Sequence, residues 1–202
     1  MKGNELVWRT LVDRAFDGVR SWKNVGDLAF ESGVAESTAY LALDKLRSIG
    51  AVTAYPGGGL SVTSPEKTLT MLCSRRDLAR DTVAMTSIAG VTEAMERGRY
   101  AIGGPDAAKS HLGDVHVSDY SDRIMYLTIP DATWALPAGN EVRVLIMDAR
   151  AEVEWSDGYA SKAQTIADLF ATPGWQASEY RVAMMERFVQ PRDWDGQEVR
   201  DA

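Results

Sequence analysis

Residues 25–63, VGDLAFESGVAESTAYLALDKLRSIGAVTAYPGGGLSVT, contain the pattern that decides the fold of the N-terminal part of the chain. The first apolar residues of this stretch recur at the spacing of one helix face, and Gly33 follows them, a residue that tolerates positive φ. A second helix is predicted over residues 36–48, because its apolar residues share one face and Gly50 follows as a stop. The stretch therefore predicts two helices joined by a tight turn.

Two short strands are predicted after the second helix, at residues 52–55 and 60–63. They flank Pro56-Gly57-Gly58-Gly59, so a hairpin with a glycine tip is expected. Helix, turn, helix and hairpin in this order resemble bacterial winged helix-turn-helix transcription regulators. The resemblance rests on Leu28-Ala29, Ser32-Gly33-Val34, Ser37-Thr38, Ala42-Leu43-Asp44-Lys45-Leu46 and Ile49-Gly50-Ala51-Val52. It implies that the second helix enters the major groove of DNA.

The second helix offers a set of candidate contacts to duplex DNA. Hydroxyl groups near its start can reach base edges, so Ser37, Thr38 and Tyr40 are the expected base contacts, although Thr38 is equally suited to a buried position. The expected phosphate contacts are the cations Arg20, Lys23, Lys45 and Arg47, with Lys67 as a further candidate. The helix carries few cations and the hairpin tip carries none, which departs from the pattern of these regulators. A protein-interaction module that does not bind DNA therefore stays open as an alternative.

The charge is divided unevenly along the chain. Residues 1–80 carry a net charge of +2 and residues 81–202 one of −9, which together give the −7 of the whole chain. Indiscriminate binding to nucleic acid is therefore not expected, whereas binding to a specific site is compatible with the mildly basic first part. The acidic second part can face solvent or a basic partner protein.

The length and composition predict two small domains in a mixed α+β (α/β) fold, since 202 residues with 45% apolar content can support two cores. Residues 1–80 are expected to form a DNA-binding domain with a connecting helix, residues 81–190 a small α/β domain, and residues 191–202 a flexible tail. No stretch has the roughly 20 apolar residues of a membrane span, and the N-terminus lacks the apolar core of a signal peptide. A cytoplasmic protein without membrane contact is therefore expected.

The second part of the chain alternates helical and strand-like segments. Helices are predicted at 82–97, 161–170 and 176–188, and the clearest strands at 123–129 and 141–147. Gly103-Gly104 lies between a strand-like and a helix-like segment, where backbone N–H groups can cradle a phosphate. This arrangement has a partial likeness to the nucleotidyltransferase superfamily, with Asp114 where the likeness implies a metal-binding carboxylate pair. The second carboxylate of that pair is missing, so any relative is expected to be catalytically degenerate.

Other candidate chemistry is weaker. His111, Asp114 and His116 are metal-ligand types within six residues, but their placement around a helix stop does not ensure convergence on one ion. Glu152 and Glu154 alternate on a predicted strand and fit a solvated edge better than a pair of catalytic acids. Cys73, the single cysteine, is expected in a helix core. No catalytic residue, cofactor site or metal site is assigned, and the chain is not expected to be an enzyme.

Two further segments resemble the AbiEi-type antitoxin domain. The first is Tyr100-Ala101-Ile102-Gly103-Gly104 leading to Ala107-Ala108 and Leu112-Gly113, which is similar to the opening of that domain. The second, Tyr159 to Leu169 followed by Thr172-Pro173-Gly174, is similar to its closing helix. The resemblance implies an antitoxin of a type IV toxin-antitoxin system, which represses its own promoter and counteracts a nucleotidyltransferase-like toxin.

Three classes of function remain open. The expected function is site-specific binding to a double-stranded DNA operator, and a homodimer would multiply its affinity through two half-sites. The first alternative is a degenerate or active nucleotidyltransferase-like enzyme that uses Gly103-Gly104 and Asp114. The second is the protein-interaction module without DNA binding.

Overall fold

The computed structural model describes residues 3–97, 99–127, 136–146, 157–190 and 194. The chain divides into two compact units, of which the first is Met1–Arg75 with Phe188–Ala202 and the second is Arg76–Arg187. Each unit combines helices with a small sheet, so the fold is mixed α+β. The first boundary between the units falls between Arg75 and Arg76, whereas the sequence predicts it after residue 80. The second unit ends at Arg187, whereas the sequence predicts its end at residue 190.

The described part of the first unit contains four helices and a three-stranded sheet. The helices are α1 (Gly3–Phe16), α2 (Val25–Glu31), α3 (Glu36–Ser48) and α4 (Pro65–Arg75), and the strands are β1 (Ser21–Trp22), β2 (Val52–Ala54) and β3 (Leu60–Val62). The strands are antiparallel in the order β1-β3-β2, with Val52 opposite Val62 and Trp22 opposite Leu60. The predicted helix over residues 36–48 and the predicted hairpin are confirmed.

Helix α1 lies in the core of the first unit, although the sequence pattern predicts no element there. It packs against α3 and α4, and its residues Leu6, Trp8 and Leu11 are fully buried. The Trp8 indole N–H donates a hydrogen bond of 3.1 Å to the Ala42 carbonyl of α3. Burial extends around nearly the whole helix and includes the charged Arg9. The helix therefore lacks the separate apolar and polar faces by which a surface helix is recognised in a sequence.

Local side-chain and backbone chemistry sets the bounds of α2 and α3. The Asn24 side chain accepts a hydrogen bond of 2.8 Å from the Asp27 backbone N–H and so caps the start of α2. The turn between the two helices contains Gly33 at a φ of 64°, a conformation that glycine adopts without strain. Helix α3 begins after Ala35, which supplies no side-chain cap, so its first N–H groups are free of such a partner.

The last described residues pack against the first unit. The ring centroid of Phe16 lies 6.1 Å from that of Phe188 and 6.4 Å from that of Trp194. Trp194 is buried and donates its indole N–H to the Val189 carbonyl at 3.1 Å. Trp194 is the one described residue within the predicted flexible tail, and its ring packs against that of Phe16; the flexible tail itself stays a prediction. The rest of the predicted tail lies outside the described residues.

The second unit contains a four-stranded sheet. Its described helices are α5 (Leu78–Asp81), α6 (Ile88–Arg97), α7 (Gly104–His111), α8 (Lys162–Ala171) and α9 (Trp175–Phe188), and its strands are β4 (Thr82–Thr86), β5 (Tyr100–Gly103), β6 (Arg123–Leu127) and β7 (Val142–Ile146). The strand order is β4-β7-β6-β5, in which β6 and β7 are parallel and the two outer pairs are antiparallel. The helices predicted over 161–170 and 176–188 are confirmed, as are the two clearest strands within the described residues.

The predicted helix over residues 82–97 is wrong in its first part. Residues Thr82–Thr86 form β4, which pairs with β7, and the helix begins only at Ile88. The segment Thr-Val-Ala-Met-Thr contains three β-branched residues, which favour a strand, and pairing with β7 satisfies the backbone groups on one side of this edge strand. The long-range pairing with β7 therefore decides that this segment is a strand and not a helix.

The core of the second unit lies between its sheet and its helices. One cluster of buried side chains joins α6 to the middle of the sheet, and its members are Ala94, Met125, Leu127, Val142 and Val144. Helix α8 is buried along Ala163–Leu169, so nearly every side chain of its first two turns faces protein. Among the residues that the structure describes, no helix has the length and apolar character needed to cross a membrane.

Candidate functional site

The exposed side of α3 is the candidate contact surface of the first unit. Ala39, Ala42, Leu43 and Leu46 are buried, and the opposite side carries Ser37, Leu41, Asp44 and Ser48, flanked by Tyr40 and Lys45. We call these six exposed residues the outward face. The outward face is mixed in chemistry, because Leu41 is 62% exposed beside an acid and several hydroxyl groups. It can donate and accept hydrogen bonds and make apolar contacts, but it has few charges that attract phosphate.

The three predicted base contacts do not share one environment. Ser37 and Tyr40 are exposed on the outward face, near the start of α3. Thr38 is half-buried and lies against α1, since a Cβ built on Gly3 would be 2.6 Å from its methyl carbon Cγ2. Of the two roles that the sequence allowed for Thr38, base contact and packing, the structure therefore favours packing. Thr38 is not part of the outward face.

Arg20 is engaged within the first unit. Its Nε donates to the Val62 carbonyl at 2.9 Å, and one terminal nitrogen donates to the carbonyls of Thr63 and Trp194 at 2.8 and 3.2 Å. Its guanidinium also lies 5.6 Å from the centroid of the Trp194 ring. These contacts join β3 to the end of the chain and give Arg20 a structural role.

The other predicted phosphate contacts surround α3. Lys45 and Lys23 are exposed, and the carbonyl of Lys23 lies 3.8 Å from a Cβ built on Gly59 of the hairpin. Arg47 is half-buried and pairs with Asp44 at 3.5 Å. Lys67 is exposed, and its amino nitrogen lies 3.7 Å from a Cβ built on Gly50, beyond the end of α3. Three of the predicted phosphate contacts, Lys23, Lys45 and Lys67, are therefore exposed.

The glycine pair of the second unit has a packing role. A Cβ built on Gly103 would lie 2.8 Å from Asp168 Oδ2 and 2.8 Å from Tyr126 Cε2, so any larger residue would collide with buried atoms. Gly104 has a φ of 60° and lies against Ile124. The backbone at these two positions lies so close to the sheet and α8 that this packing explains the need for glycine. A phosphate-binding role is not required to explain it.

The residues predicted as metal or enzyme candidates are not brought together. Asp114 follows the end of α7, whereas the glycine pair is at its start, and eight helical residues span about 12 Å. His111 donates from Nε2 to the Ala160 carbonyl at 2.8 Å, while His116 is exposed and lies 3.4 Å from Asp119. In the described part of the chain, no three side chains of the metal-binding types form a group that could hold an ion. Glu152 and Glu154 lie outside the described residues.

A buried polar cluster lies beside Gly103, and it consists of Arg76, Tyr126, Gln164 and Asp168. Arg76 Nε donates to Asp168 Oδ1 at 2.8 Å, and another of its nitrogens donates to the Tyr126 hydroxyl. That hydroxyl donates to both Asp168 oxygens, at 2.6 and 2.7 Å. Gln164 Nε2 donates to the hydroxyl at 3.0 Å and to Asp168 Oδ1 at 2.9 Å. The cluster thereby joins the start of the unit, a central strand and α8.

Charge balance stabilises the buried polar cluster. Burial by itself would lower the pKa of Arg76, but Tyr126 and the carboxylates of Asp168 and Asp81 raise it above its ordinary value. Burial also raises the pKa of the Tyr126 phenol well above its ordinary value. Arg76 therefore stays charged and Tyr126 stays neutral, which suits the phenol to donate to the Asp168 carboxylate.

Sequence reasoning misses this cluster. It places Arg76 in the first domain, within residues 1–80, but the Arg76 side chain is only 5% exposed and belongs to the second unit. One signal was present, since Asp168 stands within the otherwise apolar Ile-Ala-Asp-Leu of α8. The pattern marks Asp168 as unusual but does not identify Arg76 as its partner, which is 92 positions away.

Comparison with known proteins adds no relative. The chain matches no protein-family model, it is not significantly similar to any curated protein, and no solved structure matches it significantly.

Proposed function

We propose that the first unit is a winged helix-turn-helix and that the chain binds a specific site in double-stranded DNA. The order helix, strand, helix, helix, hairpin supports this, together with the three-stranded sheet β1-β3-β2 beside an exposed α3. In the docking geometry of this fold, the second helix of the motif lies in the major groove. The observation that carries the proposal is that α3 buries one side in the core and leaves the outward face uncovered in the described chain.

The outward face assigns roles to particular side chains. Ser37 and Tyr40 lie near the start of α3 with exposed hydroxyl groups, which can donate to or accept from base edges. Lys45 on the same helix and Lys23 beside the hairpin are the proposed phosphate contacts. Arg20, Thr38 and Arg47 are not assigned direct contacts, because each is engaged within the unit.

The small number of available cations sets an expectation for the salt dependence. Each phosphate that a cation neutralises adds about −0.9 to the slope of log K against log salt concentration. With Lys23 and Lys45 as contacts, the slope should be close to −2 per protomer, which is shallow for a DNA-binding protein. Specific binding would then depend on base contacts and on a second half-site from a homodimer.

The resemblance of residues 100–113 and 159–174 to the AbiEi-type antitoxins extends the proposal. The operator would lie in the promoter of the protein's own gene, and the second unit would counteract a nucleotidyltransferase-like toxin. This step rests on the resemblance, and it is tested separately by co-expression with the protein encoded next to this gene. Cells whose growth is arrested by the neighbouring protein are expected to grow again when this chain is co-expressed with it.

A titration against the protein's own upstream duplex tests DNA binding directly. Specific binding should exceed binding to a scrambled duplex, and Ser37→Ala with Tyr40→Ala should weaken it by about tenfold or more through lost base contacts. Thr70→Ala, which removes an exposed hydroxyl from α4, is the matched control and should bind as the wild type does. Absence of binding even at low salt would overturn the proposal.

A second function is favoured by one observation. Phe30 on α2 is 90% exposed and Leu41 on the outward face is 62% exposed, and large exposed apolar side chains are typical of protein interfaces. The first unit would then contact a protein through exposed apolar side chains of α2 and α3. Binding of a neighbour-encoded protein that is lost in Phe30→Ser, together with failure to bind duplex DNA, would favour this function.

A further inference from the structure

A cavity of about 220 Å³ lies in the second unit, between α6 and the sheet. Its walls are mainly apolar, with Val91 and Met95 from α6 and Ile102 and Ile124 from the sheet. The volume is below the roughly 300–1,000 Å³ of sites that hold drug-sized ligands. A single aromatic ring with one small substituent therefore matches its size.

The polar end of the cavity is an ion pair between Asp106 and Arg123. Arg123 Nη1 donates to Asp106 Oδ1 at 3.0 Å, and the Tyr120 hydroxyl donates to the same oxygen at 2.5 Å. The Arg123 guanidinium also lies 5.3 Å from the centroid of the Tyr120 ring. Both of these hydrogen bonds use the same oxygen of Asp106, whereas a carboxylate has two acceptor oxygens and a guanidinium has five N–H donors. The polar end of the cavity therefore combines an acceptor and donors that can each form further hydrogen bonds.

This pairing of charges determines which ligands the cavity suits. An anion would gain contact with Arg123 but would be repelled by Asp106, and a cation would meet the opposite problem. A neutral group with an adjacent donor and acceptor can satisfy both side chains at once. An amide has these two functions on neighbouring atoms.

We propose that this cavity is a binding site for a small, neutral, planar aromatic amide. The ring would lie among the apolar walls, the amide N–H would donate to Asp106 Oδ2, and the amide oxygen would accept from Arg123. The site lies entirely within residues 76–187, so it does not depend on DNA binding by the first unit.

Three probes of nearly equal shape test the proposal on the full chain. Benzamide is neutral, benzoate is an anion and benzamidine is a cation at neutral pH, and binding is measured by the chemical-shift changes of protein amides. Benzamide should bind at millimolar concentration, and the two charged probes should bind about tenfold more weakly because each meets a like charge.

Charge-neutralising variants should change the selectivity in opposite directions. Asp106→Asn removes the repulsion of anions and should make benzoate the preferred probe. Arg123→Gln should instead make benzamidine the preferred probe. A nonspecific apolar cleft would not reverse its preference in this way.

A cavity-filling variant distinguishes this site from other surfaces. Met95→Trp places a larger side chain at the rim of the cavity and should abolish binding of benzamide, with a cooperative thermal transition as the check that the chain is folded. Absence of benzamide binding to the wild type would overturn the proposal. Tighter binding of benzoate than of benzamide to the wild type, or unchanged selectivity in both charge variants, would overturn it as well.

Discussion

Helices α4 and α8 begin in the same way but lie in different surroundings. Ser64 accepts a hydrogen bond of 3.3 Å from the Lys67 backbone N–H before α4, and Ser161 accepts one of 3.3 Å from the Gln164 backbone N–H before α8. Each serine is followed four positions later by a buried threonine and then by an aliphatic residue. The local chemistry that starts a helix is therefore shared.

The two helices differ at the positions that face their neighbours. Lys67 and Met71 of α4 correspond to Gln164 and Asp168 of α8. Lys67 is exposed and Met71 half-buried, whereas Gln164 and Asp168 are fully buried and bonded to Tyr126. The comparison shows that the start of a helix depends on adjacent residues, while the character of its faces depends on what packs against it.

Exchanging the corresponding residues should have the largest effect. Asp168→Met would leave the Arg76 guanidinium buried without its main partner, and we expect a loss of about 3–5 kcal/mol in the free energy of unfolding. Met71→Asp on half-buried α4 should cost only about 1 kcal/mol. Urea denaturation of both variants measures the difference, and equal losses would show that the surroundings of the two helices are energetically alike.

The glycines offer the next comparison. Gly103→Ala would place a methyl group 2.8 Å from atoms of Asp168 and Tyr126, so we expect a destabilisation of about 1–3 kcal/mol. Gly57→Ala at the hairpin tip meets no atom within 4 Å and should change stability by less than about 0.5 kcal/mol. Thermal denaturation distinguishes the two, and a neutral Gly103→Ala would mean that the buried polar cluster can move aside.

The capping serines should give small and similar effects. Ser64→Ala and Ser161→Ala each remove one side-chain acceptor from a helix start, which typically costs about 1 kcal/mol. Similar losses in denaturant titrations would support the shared start of α4 and α8. A much larger loss for Ser161→Ala would show that the surroundings of α8 add to the effect of the cap.

Substitution of His111 should give the smallest effect, and only at low pH. Burial lowers the pKa of His111 below 6.5, so the folded state holds this ring neutral while the unfolded state takes up a proton as the pH falls. Stability from this group is thus fully present above pH 6.5 and decreases below it, by at most about 1.4 kcal/mol per pH unit. His111→Gln should reduce this decrease relative to the wild type. A wild-type dependence of stability on pH in His111→Gln would contradict the prediction.

Elements with local signals were predictable, and elements without them were not. Helix α3 has a clear apolar face and a glycine stop, so its predicted bounds agree with the structure. Helix α1 lacks a polar face, and β4 carries residues that suit either a strand or a helix. In both cases packing against distant parts of the chain determined the element, which a local pattern does not contain.

The contacts of candidate functional residues were likewise predictable where they depend on local sequence and unpredictable where they depend on distant residues. Exposure of Ser37, Tyr40 and Lys45 followed from the helical period of α3. The engagement of Arg20 did not, because its partners at Val62, Thr63 and Trp194 are more than 40 positions away. The ion pair of Asp106 and Arg123 at the cavity also required the pairing of β5 with β6.

The sequence by itself determined the capped starts of α4 and α8, the turn at Gly33, the hairpin and the division of charge, since each depends on neighbouring residues or on composition alone. Only the tertiary structure decided which polar side chains are buried, which glycines are confined and where a cavity forms. The physical reason is that hydrogen bonding and desolvation depend on the atoms around a group. For Arg76 and Asp168 those atoms come from segments that the fold brings together from opposite ends of one unit.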